Sequence, residues 1–594
     1  MKKHILQPCI WPEELEEEQL YIRTNGSIRR SSMGTAVVLK KGEYCRFDTY
    51  FNAFSSGKWK KYSRVEEFQL ELTVSGAVCA RLFNSRLDGE RNLLLQQDSD
   101  GIEKRTITLS AFSVQPESII YMELEALGEQ VEFYDFAYFA VIPEEQIWDI
   151  HLSSVICTYK RERYVEENLR RLEERILSNE SSPLYDRLSV FVADNGQTLD
   201  LKTMPQIQIK KNKNLGGVGG FTRGMIETLE TMPKATHILL MDDDAIIRPH
   251  VLERTYRFLS VLRPEFQEHT IAGALLRQDM PWIQFESGAQ WNRGKIKALK
   301  NQLNLTEIAN VLVNESEKEE IEYAGWWYSC MPVSMIKKVG LPLPLFIHRD
   351  DIEYGLRLNK KFITLNGIGI WHEPYLNKMP GVMEYYDIRN LAIVNVIHYD
   401  DYRLKELLMT YWKWTMGNII RLCYRYVSYN TKGILDFCRG GSWLENVDAE
   451  ALNRTLVEQN YRLLDQTTVY EQFSIHASTV PVSEQRLDGK LDHKCWKIIT
   501  FNGAIFPALK EKPIVVRPYC NIYDLYRRRE VIYVDTAKKC FYTKRRVGLA
   551  IRCLVDIVLA SKNVILGFTK MKGDYKEHYQ NLISIRYWRK NLDL

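Results

Sequence analysis

In His237-Ile238-Leu239-Leu240-Met241-Asp242-Asp243-Asp244 five mostly apolar residues run into three consecutive aspartates. A short apolar run that ends abruptly in three adjacent carboxylates predicts a buried parallel strand leaving the core at its C-terminal edge. That edge is where open α/β sheets bind ligands. Three neighbouring carboxylates repel one another, and a hard cation between them relieves the repulsion. A solvated acidic turn capping the next helix is the competing reading, and these eight residues alone do not separate the two.

The segment around the triplet alternates strand and helix. Residues 153–157, 188–193 and 238–241 read as strands, and 164–177 and 220–231 as helices. Repeated units of this kind predict a parallel sheet with helices on both faces. Polar and cationic groups stand at the strand ends: Thr158-Tyr159-Lys160-Arg161 after the first strand and Asp194-Asn195-Gly196 after the second. Between them and the triplet, Asn212-Lys213-Asn214-Leu215-Gly216-Gly217-Val218-Gly219-Gly220-Phe221 places four glycines before a helix. Such a loop lets backbone amides approach a ligand closely, and its helix N-terminus favours a diphosphate. It is neither a Walker loop, since no Gly-Lys-Ser/Thr follows, nor a clear dinucleotide fingerprint.

On the N-terminal side, from about Thr35 to Pro143, strands such as 36–39, 68–74, 105–109 and 121–125 largely alternate apolar with polar residues between turn signals, which predicts an all-β sandwich. Its aromatics are dense, as in Phe47-Asp48-Thr49-Tyr50-Phe51-Asn52-Ala53-Phe54 and Phe133-Tyr134-Asp135-Phe136-Ala137-Tyr138-Phe139. Filling of the core is the favoured reading over rings presented to sugar faces. Beyond about Asp400 the chain turns helical and basic. Residues 402–424 carry Trp412, Trp414, Arg421 and Tyr424, and a mixed segment from about Ser474 to Pro518 precedes the basic stretches Tyr526–Arg529 and Lys538–Arg546. With Arg586, Arg589 and Lys590 these suggest a positive face toward an anionic membrane or a phosphorylated acceptor, against the alternative of a merely solvated surface.

At 594 residues the chain needs several cores, and a formal net charge of +4 gives no bulk argument for nucleic acid. No apolar run follows Lys2 and Lys3, and Arg552, Asp556 and Lys562 interrupt the apolar segment 549–568, so a cytosolic protein without spanning helices is expected. Eleven scattered cysteines without a Cys-x-x-Cys pair read as buried free thiols. The division expected is a β-sandwich over 1–147, an α/β nucleotide-binding domain over 148–400 and a mainly helical domain over 401–594, together a multidomain α+β chain. Oligomeric state is not readable, and assembly stays open.

The succession of strand with Thr-Tyr-Lys-Arg, strand with Asp-Asn-Gly, Gly-rich loop and strand with the acidic triplet resembles the GT-A fold of glycosyltransferase family 2. The resemblance continues in Trp326-Trp327-Tyr328-Ser329, where that family shapes its sugar pocket, in His348-Arg349-Asp350-Asp351-Ile352-Glu353-Tyr354-Gly355, like its acidic catalytic motif, and in Trp371-His372-Glu373-Pro374-Tyr375, like its late metal-binding histidine. With the aromatic-rich sandwich before and the helical region after, the layout is most similar to the mycobacterial polymerising galactofuranosyltransferases, over roughly residues 35 to 400. The His348-Arg349 pair before the two aspartates departs from that pattern.

The resemblance implies an inverting, metal-dependent sugar transfer, with galactofuranose moved from UDP-galactofuranose to a cell-surface glycan or its lipid-linked precursor. A rhamnosyl- or other hexosyltransferase, a nucleotidyltransferase and a glycan-binding protein without turnover are the rivals. Asp242 and Asp244 are the expected carboxylate ligands of Mn2+ or Mg2+, His372 the nitrogen ligand that favours Mn2+, and Asp243 a contact to ribose or donor sugar. Asp351 is the expected base, with Asp350 orienting the acceptor. Thr158, Lys160, Arg161, Asp194, Asn195, Asn214, Gly216 and Gly217 are assigned to the nucleotide, and Trp326, Trp327 and Glu353 to the sugar or acceptor pocket. Trp326 and Trp327 follow Tyr323-Ala324-Gly325, so a turn could present one indole to a sugar face, and since adjacent tryptophans on a strand point to opposite faces the other is expected in the core. Arg389 and Asn390 are weaker candidates for the diphosphate or acceptor.

Overall fold

The computed structural model describes residues 1–31, 34–112, 114–475, 500, 502–503, 506–509 and 511–594. Most of the mixed segment expected between Ser474 and Pro518 lies outside the described residues. The chain forms two compact units. The first comprises Met1–Lys213, Gly220–Leu341 and Tyr354–Glu373, and the second Asn214–Gly219, Pro342–Glu353 and Pro374–Leu594.

The first unit opens with the sandwich. One antiparallel sheet runs in the order Ser27–Ser31, Gly34–Leu39, Val131–Ile142, Phe68–Ser75, Arg105–Phe112, with Lys2–Pro8 also paired to Val131–Ile142. The other runs Arg23–Thr24, Tyr44–Arg46, Ser118–Ala126, Val78–Arg86, Arg91–Ser99. Every second residue of Phe68–Ser75 is buried, the pattern of a strand with one face on a core. The aromatics of the two dense runs fill that core. Phe47 packs on Phe133 and Phe136, Phe54 stacks between Trp59 and Tyr138, and the Tyr138 hydroxyl donates to the Ile120 carbonyl of the opposite sheet.

Among the described residues seven strands make the central sheet, in the order Ile207–Lys211, Leu188–Asp194, Leu152–Thr158, His237–Asp242, Tyr328–Pro332, Thr270–Ala272, Phe362–Ile363. The first four are parallel, and Tyr328–Pro332 runs antiparallel between His237–Asp242 and Thr270–Ala272. His237–Asp242 is buried up to Met241, so the apolar run is core and the triplet begins where the strand meets the edge. The helix expected at Gly220 starts at Gly216 instead, so about one further turn, containing three of the glycines, is helical rather than loop. Gly220 has a steric role within it: a Cβ there would stand 2.2 Å from the Cys157 sulfur, and only glycine lets this helix approach the sheet so closely. A smaller sheet, Leu303–Asn304, Ile283–Glu286, Ala274–Arg277, Gly369–His372, completes the unit.

The second unit is mainly helical, with Met383–His398, Leu404–Ile420, Tyr424–Phe437, Ala449–Glu458 and a 36-residue helix, Val547–Leu582. It also contains a four-stranded sheet that the basic composition concealed, ordered Leu464–Asp465, Lys539–Lys544, Glu530–Val534, Ile514–Val516. The basic stretches flank these strands, and part of their charge is paired, as in Lys539 with Asp465 at 2.7 Å and Arg528 with Glu511. All cysteines among the described residues are free, and only Cys157 and Cys438 are less than fully buried. No helix among the described residues is long and apolar enough to cross a membrane.

Candidate active site

The chain that leaves His237–Asp242 turns back on itself: the Ile246 amide donates to the Trp371 carbonyl at 2.7 Å. Strand Gly369–His372 is itself held parallel to Ala274–Arg277, with His372 opposite Arg277. This return brings together residues 128 positions apart, and His372 Nε2 lies 2.9 Å from Asp244 Oδ1. Ligand atoms of Asp242, Asp244 and His372 all lie within 4.8 Å of one another. Two carboxylates and one imidazole at that separation form a donor set suited to a divalent ion of the Mn2+ or Mg2+ class.

The electrostatics agree with a cation-demanding site. Burial pushes the Asp242 carboxyl up to about 6, with Asp244 and Asp243 adding to it and His372 and Arg161 opposing it. Burial likewise raises Asp243, against Arg161. Arg161 Nη1 meets Asp243 Oδ1 at 2.9 Å and Asp244 Oδ2 at 2.8 Å, so a guanidinium balances part of the triplet's charge. The turn itself is fastened from helix Glu162–Leu172, where Asn168 Nδ2 donates to the carbonyls of Asp243 and Ala245.

The remaining residues assigned to the nucleotide divide into two groups. Lys160 and Arg161 are exposed at the sheet edge, with Lys160 in the left-handed region (φ 55°). Thr158 and Asn195 are buried and join the two strand ends, the Asn195 amide donating to the Thr158 carbonyl at 2.9 Å, and Asn195 Oδ1 accepts from Asn212 Nδ2 at 2.8 Å. Asp194 corrects the expectation of free acceptors. It is wholly buried, and its two oxygens accept from the amides of Gly196 and Leu199, so it shapes the loop.

In the second unit, Asn214 Oδ1 accepts from the Gly216 amide at 3.2 Å. Gly216 has φ +76°, and a Cβ there would lie 2.0 Å from the Phe346 carbonyl oxygen, whereas one on Gly217 would meet nothing within 4 Å. Phe346, His348 and Arg349 all have positive φ (73°, 64° and 69°), a run that L-residues adopt only when neighbours impose it. Helix Met383–His398 supplies the constraint. Asn390 Nδ2 donates to the carbonyls of Leu345, Ile347 and His348 at 3.1, 2.9 and 2.8 Å, and Arg389 donates to Leu345 at 2.7 Å. Asp387 meets His348 Nδ1 at 2.8 Å and Arg349 at 3.1 Å. Arg389 and Asn390 are therefore buried supports of this loop, not residues that reach a ligand.

Asp350 and Asp351 begin helix Asp350–Arg357 directly after that loop. Burial, and then the neighbouring Asp351 charge, lift Asp350 to about 7, while His348 and Arg349 oppose the rise that burial imposes on Asp351. Burial thus raises both carboxyls of the pair, Asp350 to about 7, while the charges beside Asp351 hold back part of its rise. Glu353, assigned to the sugar pocket, is fully buried and bonded to His398 Nε2 at 2.9 Å, so it is a structural anchor. Trp326 and Trp327 lie in the turn before strand Tyr328–Pro332, not on the strand. Trp326 is core, edge-on to Phe221 and Tyr354. Trp327 folds back over Gly325, is only partly buried, and donates from Nε1 to the Gly273 carbonyl at 3.0 Å.

Residues 6–131 match the family model described as galactofuranosyltransferase 2 N-terminal, and residues 151–376 match that of glycosyltransferase like family 2. The chain is a glycosyltransferase whose residues 151–376 match family 2. Galactofuranosyltransferase GlfT2 of Mycolicibacterium smegmatis is 25% identical to it over 464 residues, 72% of this chain and 69% of the relative. GlfT2 of Mycobacterium tuberculosis is 25% identical over 476 residues, 74% and 72% of the two chains. A mannosyltransferase from Pyrobaculum calidifontis, solved with GDP-Man and Mn2+, aligns with 52% of this chain and 82% of its own at 13% identity. Its TM-score of 0.28 is too low to bear on the site.

Sequence reasoning overlooked how this glycosyltransferase supports its histidine ligand candidate. Phe51, from the sandwich, packs on Trp371 at 5.6 Å, and the Tyr50 hydroxyl lies 3.4 Å from the Ile368 carbonyl. Buried Arg254 links the Phe51 and Asn366 carbonyls. The aromatic run 47–54 thus serves the sandwich core with Phe47 and Phe54 and the strand of His372 with Tyr50 and Phe51. Its unusual aromatic density was the available signal.

Proposed function

We propose that this glycosyltransferase moves galactofuranose from UDP-galactofuranose to a hydroxyl of a cell-surface glycan or its lipid-linked precursor, with inversion and with a divalent ion. The observation that carries the reading is the meeting of Asp242, Asp244 and His372 at the C-terminal edge of a parallel sheet. The donor and sugar come from the likeness to the two galactofuranosyltransferases at 25% identity.

Asp242, Asp244 and His372 are the residues that would hold the ion, and the nitrogen donor favours Mn2+ over Mg2+. When bound, the ion supplies charge stabilisation for the departing nucleoside diphosphate. Arg161, already beside the triplet, and Lys160 offer further positive charge to phosphate oxygens. Asp243, Thr158, Asn195, Asn214, Gly216 and Gly217 bind or shape the nucleotide site. Asp351 takes the proton from the acceptor hydroxyl while that oxygen forms its bond to the anomeric carbon. The bond from that carbon to the diphosphate oxygen breaks, and the nucleoside diphosphate leaves with the electron pair. Asp350, biased toward its neutral form, hydrogen-bonds and orients the acceptor, and Trp327 lines the sugar pocket.

The test is product formation from a panel of UDP- and dTDP-sugars with Mn2+, in wild type and Asp351→Asn. Transfer from UDP-galactofuranose that falls by two to four orders of magnitude in the variant, as loss of a general base predicts at about that size, supports the assignment. Full-rate transfer by the variant removes Asp351 from the base role. Preference for another donor moves the reading to a rhamnosyl- or hexosyltransferase, and release of pyrophosphate to a nucleotidyltransferase. No turnover of any donor with metal leaves a glycan-binding protein.

A further inference from the structure

His348 and Arg349 stand directly before the acidic pair, and the reaction proposed above gives neither of them a task. Both meet one carboxylate oxygen: His348 Nδ1 lies 2.8 Å and Arg349 Nη2 3.1 Å from Asp387 Oδ1. Asp387 belongs to helix Met383–His398, the same helix whose Asn390 holds the His348 carbonyl at 2.8 Å. The imidazole is therefore fastened twice, through its own backbone and through Nδ1. Positive φ at both residues (64° and 69°) is maintained by these bonds, so the ring has a fixed place two residues before Asp350. With 33% of its side chain exposed, it can still exchange a proton with solvent.

The balance of charge shows what this arrangement leaves over. Against burial, which would raise it, Arg349 and His348 hold the Asp387 carboxyl down to about 2, so it is an anion near neutral pH. An anion beside Nδ1 keeps a proton on that nitrogen, and the proton that comes and goes is the one on Nε2. Burial would lower the imidazole, but Asp387 outweighs burial and the histidine titrates above its ordinary value. With Nε2 protonated, two cations share one anion, and a single positive charge remains at the start of helix Asp350–Arg357. One ionised carboxyl in the pair Asp350 and Asp351 completes the balance. The charged groups that face the imidazole are Asp387 from helix Met383–His398 and Arg349 and Asp350 from its own segment. Glu384, on the same helix as Asp387 and bonded to Asn418 and Asn430, and the Tyr519 hydroxyl act on Asp387 in turn.

We propose that His348 is a positioning residue for the base: its imidazolium, pinned by Asp387, keeps Asp351 in the carboxylate form that takes the proton of the acceptor hydroxyl. This rests on Asp351 being the base, and it adds a group that acts on the transfer only through that carboxylate. His348 and Arg349 both oppose the rise that burial imposes on Asp351, but the arginine charge is permanent and the histidine charge is not. Loss of the imidazolium raises the Asp351 carboxyl, so transfer then requires a higher pH.

The experiment is the pH profile of kcat/KM for transfer from UDP-galactofuranose with Mn2+, in wild type, His348→Gln, His348→Lys and Asp351→Asn. In His348→Gln the acidic limb should move up by about one pH unit, so that the rate falls about tenfold below the limb and approaches wild type above it. His348→Lys supplies a cation that does not titrate near neutrality and should return the limb to its wild-type position. A second measurement needs no turnover. The His348 imidazole, followed by NMR in the histidine-labelled full chain and assigned by its absence from His348→Lys, is titrated in wild type and in the Asp350→Asn, Asp351→Asn pair. Because coupling between two protonation sites is reciprocal, removing both carboxyls should lower the imidazole midpoint by about one pH unit. A His348→Gln rate that falls by the same factor at every pH overturns the proposal, and so does a lysine variant whose limb stays with that of the glutamine variant. An imidazole midpoint indifferent to the carboxyl pair overturns it as well, and that titration decides the matter if His348→Gln melts early or no donor is turned over. Full-rate transfer by Asp351→Asn is a separate failure, which removes the base and the proposal with it. An unmoved His348→Gln limb beside an inactive Asp351→Asn overturns the proposal and leaves the base standing.

Discussion

Phe51→Ala and Phe54→Ala, made separately, should destabilise the protein alike and yet differ in metal binding. Both rings are fully buried. Phe51 stacks on Tyr21 at 4.4 Å, meets His250 edge-on at 5.2 Å and packs on Trp371 at 5.6 Å. Phe54 stacks on Tyr138 at 4.6 Å and Trp59 at 5.6 Å and meets Phe68 edge-on at 5.4 Å. With matched burial and matched aromatic neighbours, each truncation should cost about 3–5 kcal/mol, seen as a melting temperature lower by several degrees. The neighbours differ in what they carry. Trp371 precedes His372, and its carbonyl accepts the amide of Ile246 that returns the triplet's chain to His372. A cavity under Trp371 should therefore loosen the Asp242, Asp244, His372 cluster and weaken Mn2+ binding by about tenfold or more, as loss of supporting contacts does at metal sites. Phe54→Ala, whose cavity opens inside the sandwich, should leave Mn2+ affinity within about twofold. Thermal melting in chelator and a Mn2+ titration of each variant make the comparison. Equal Mn2+ affinities in the two variants, at equal loss of stability, would falsify the claim that the 47–54 run supports the metal candidate.

Three further outcomes follow from local geometry. Gly216→Ala forces a positive φ on an L-residue and drives its Cβ into the Phe346 carbonyl, so it should lower stability by roughly 2 kcal/mol or more, while Gly217→Ala should stay within about 0.5 kcal/mol in the same melting assay. Asp350, held at about 7 by burial and Asp351, binds its proton more tightly folded than unfolded. Stability from this group is therefore lost as pH rises from about 4 toward about 7 and is fully lost above that. The melting temperature of Asp350→Asn relative to wild type should rise across that window, and a constant difference would remove Asp350 as its source. Arg161→Gln, which strips the counter-ion from Asp243 and Asp244 where the guanidinium is partly exposed, should cost about 1 kcal/mol in chelator. Added Mn2+ should restore the melting temperature, and a deficit that Mn2+ leaves unchanged would mean that Arg161 and a cation do not share these carboxylates.

The alternation of strand and helix from residue 152 to 242, the alternating strands of the sandwich and the position of the triplet at a strand end were legible because each is a local periodicity of apolar residues. Local signals failed where a residue's role depends on a distant neighbour. The glycines before Phe221 read as a loop, yet Gly216–Thr231 is helical, and the close approach to Cys157 requires a glycine at 220. The turn after Gly325 was legible at Trp326 and Trp327, but which indole it buries was decided by the distant Phe221 and Tyr354 that pack on Trp326. Glu353 and Asp194 read as ligand contacts, and burial makes them supports. The sheet of the second unit was hidden because cationic runs at strand ends obscure short apolar segments such as Ile514–Val516.

By itself the sequence determined which chemistry the chain can offer: carboxylates at a sheet edge, an imidazole after an acidic motif, glycines before a helix and a family pattern that orders them. Tertiary structure alone decided which of these groups meet. Asp244 and His372 stand 128 positions apart, and no local periodicity couples them. The return of the chain at Ile246 onto Trp371, over an aromatic support from the sandwich, is what turns the acidic triplet from a repelling cluster into the source of two donors of a three-donor site.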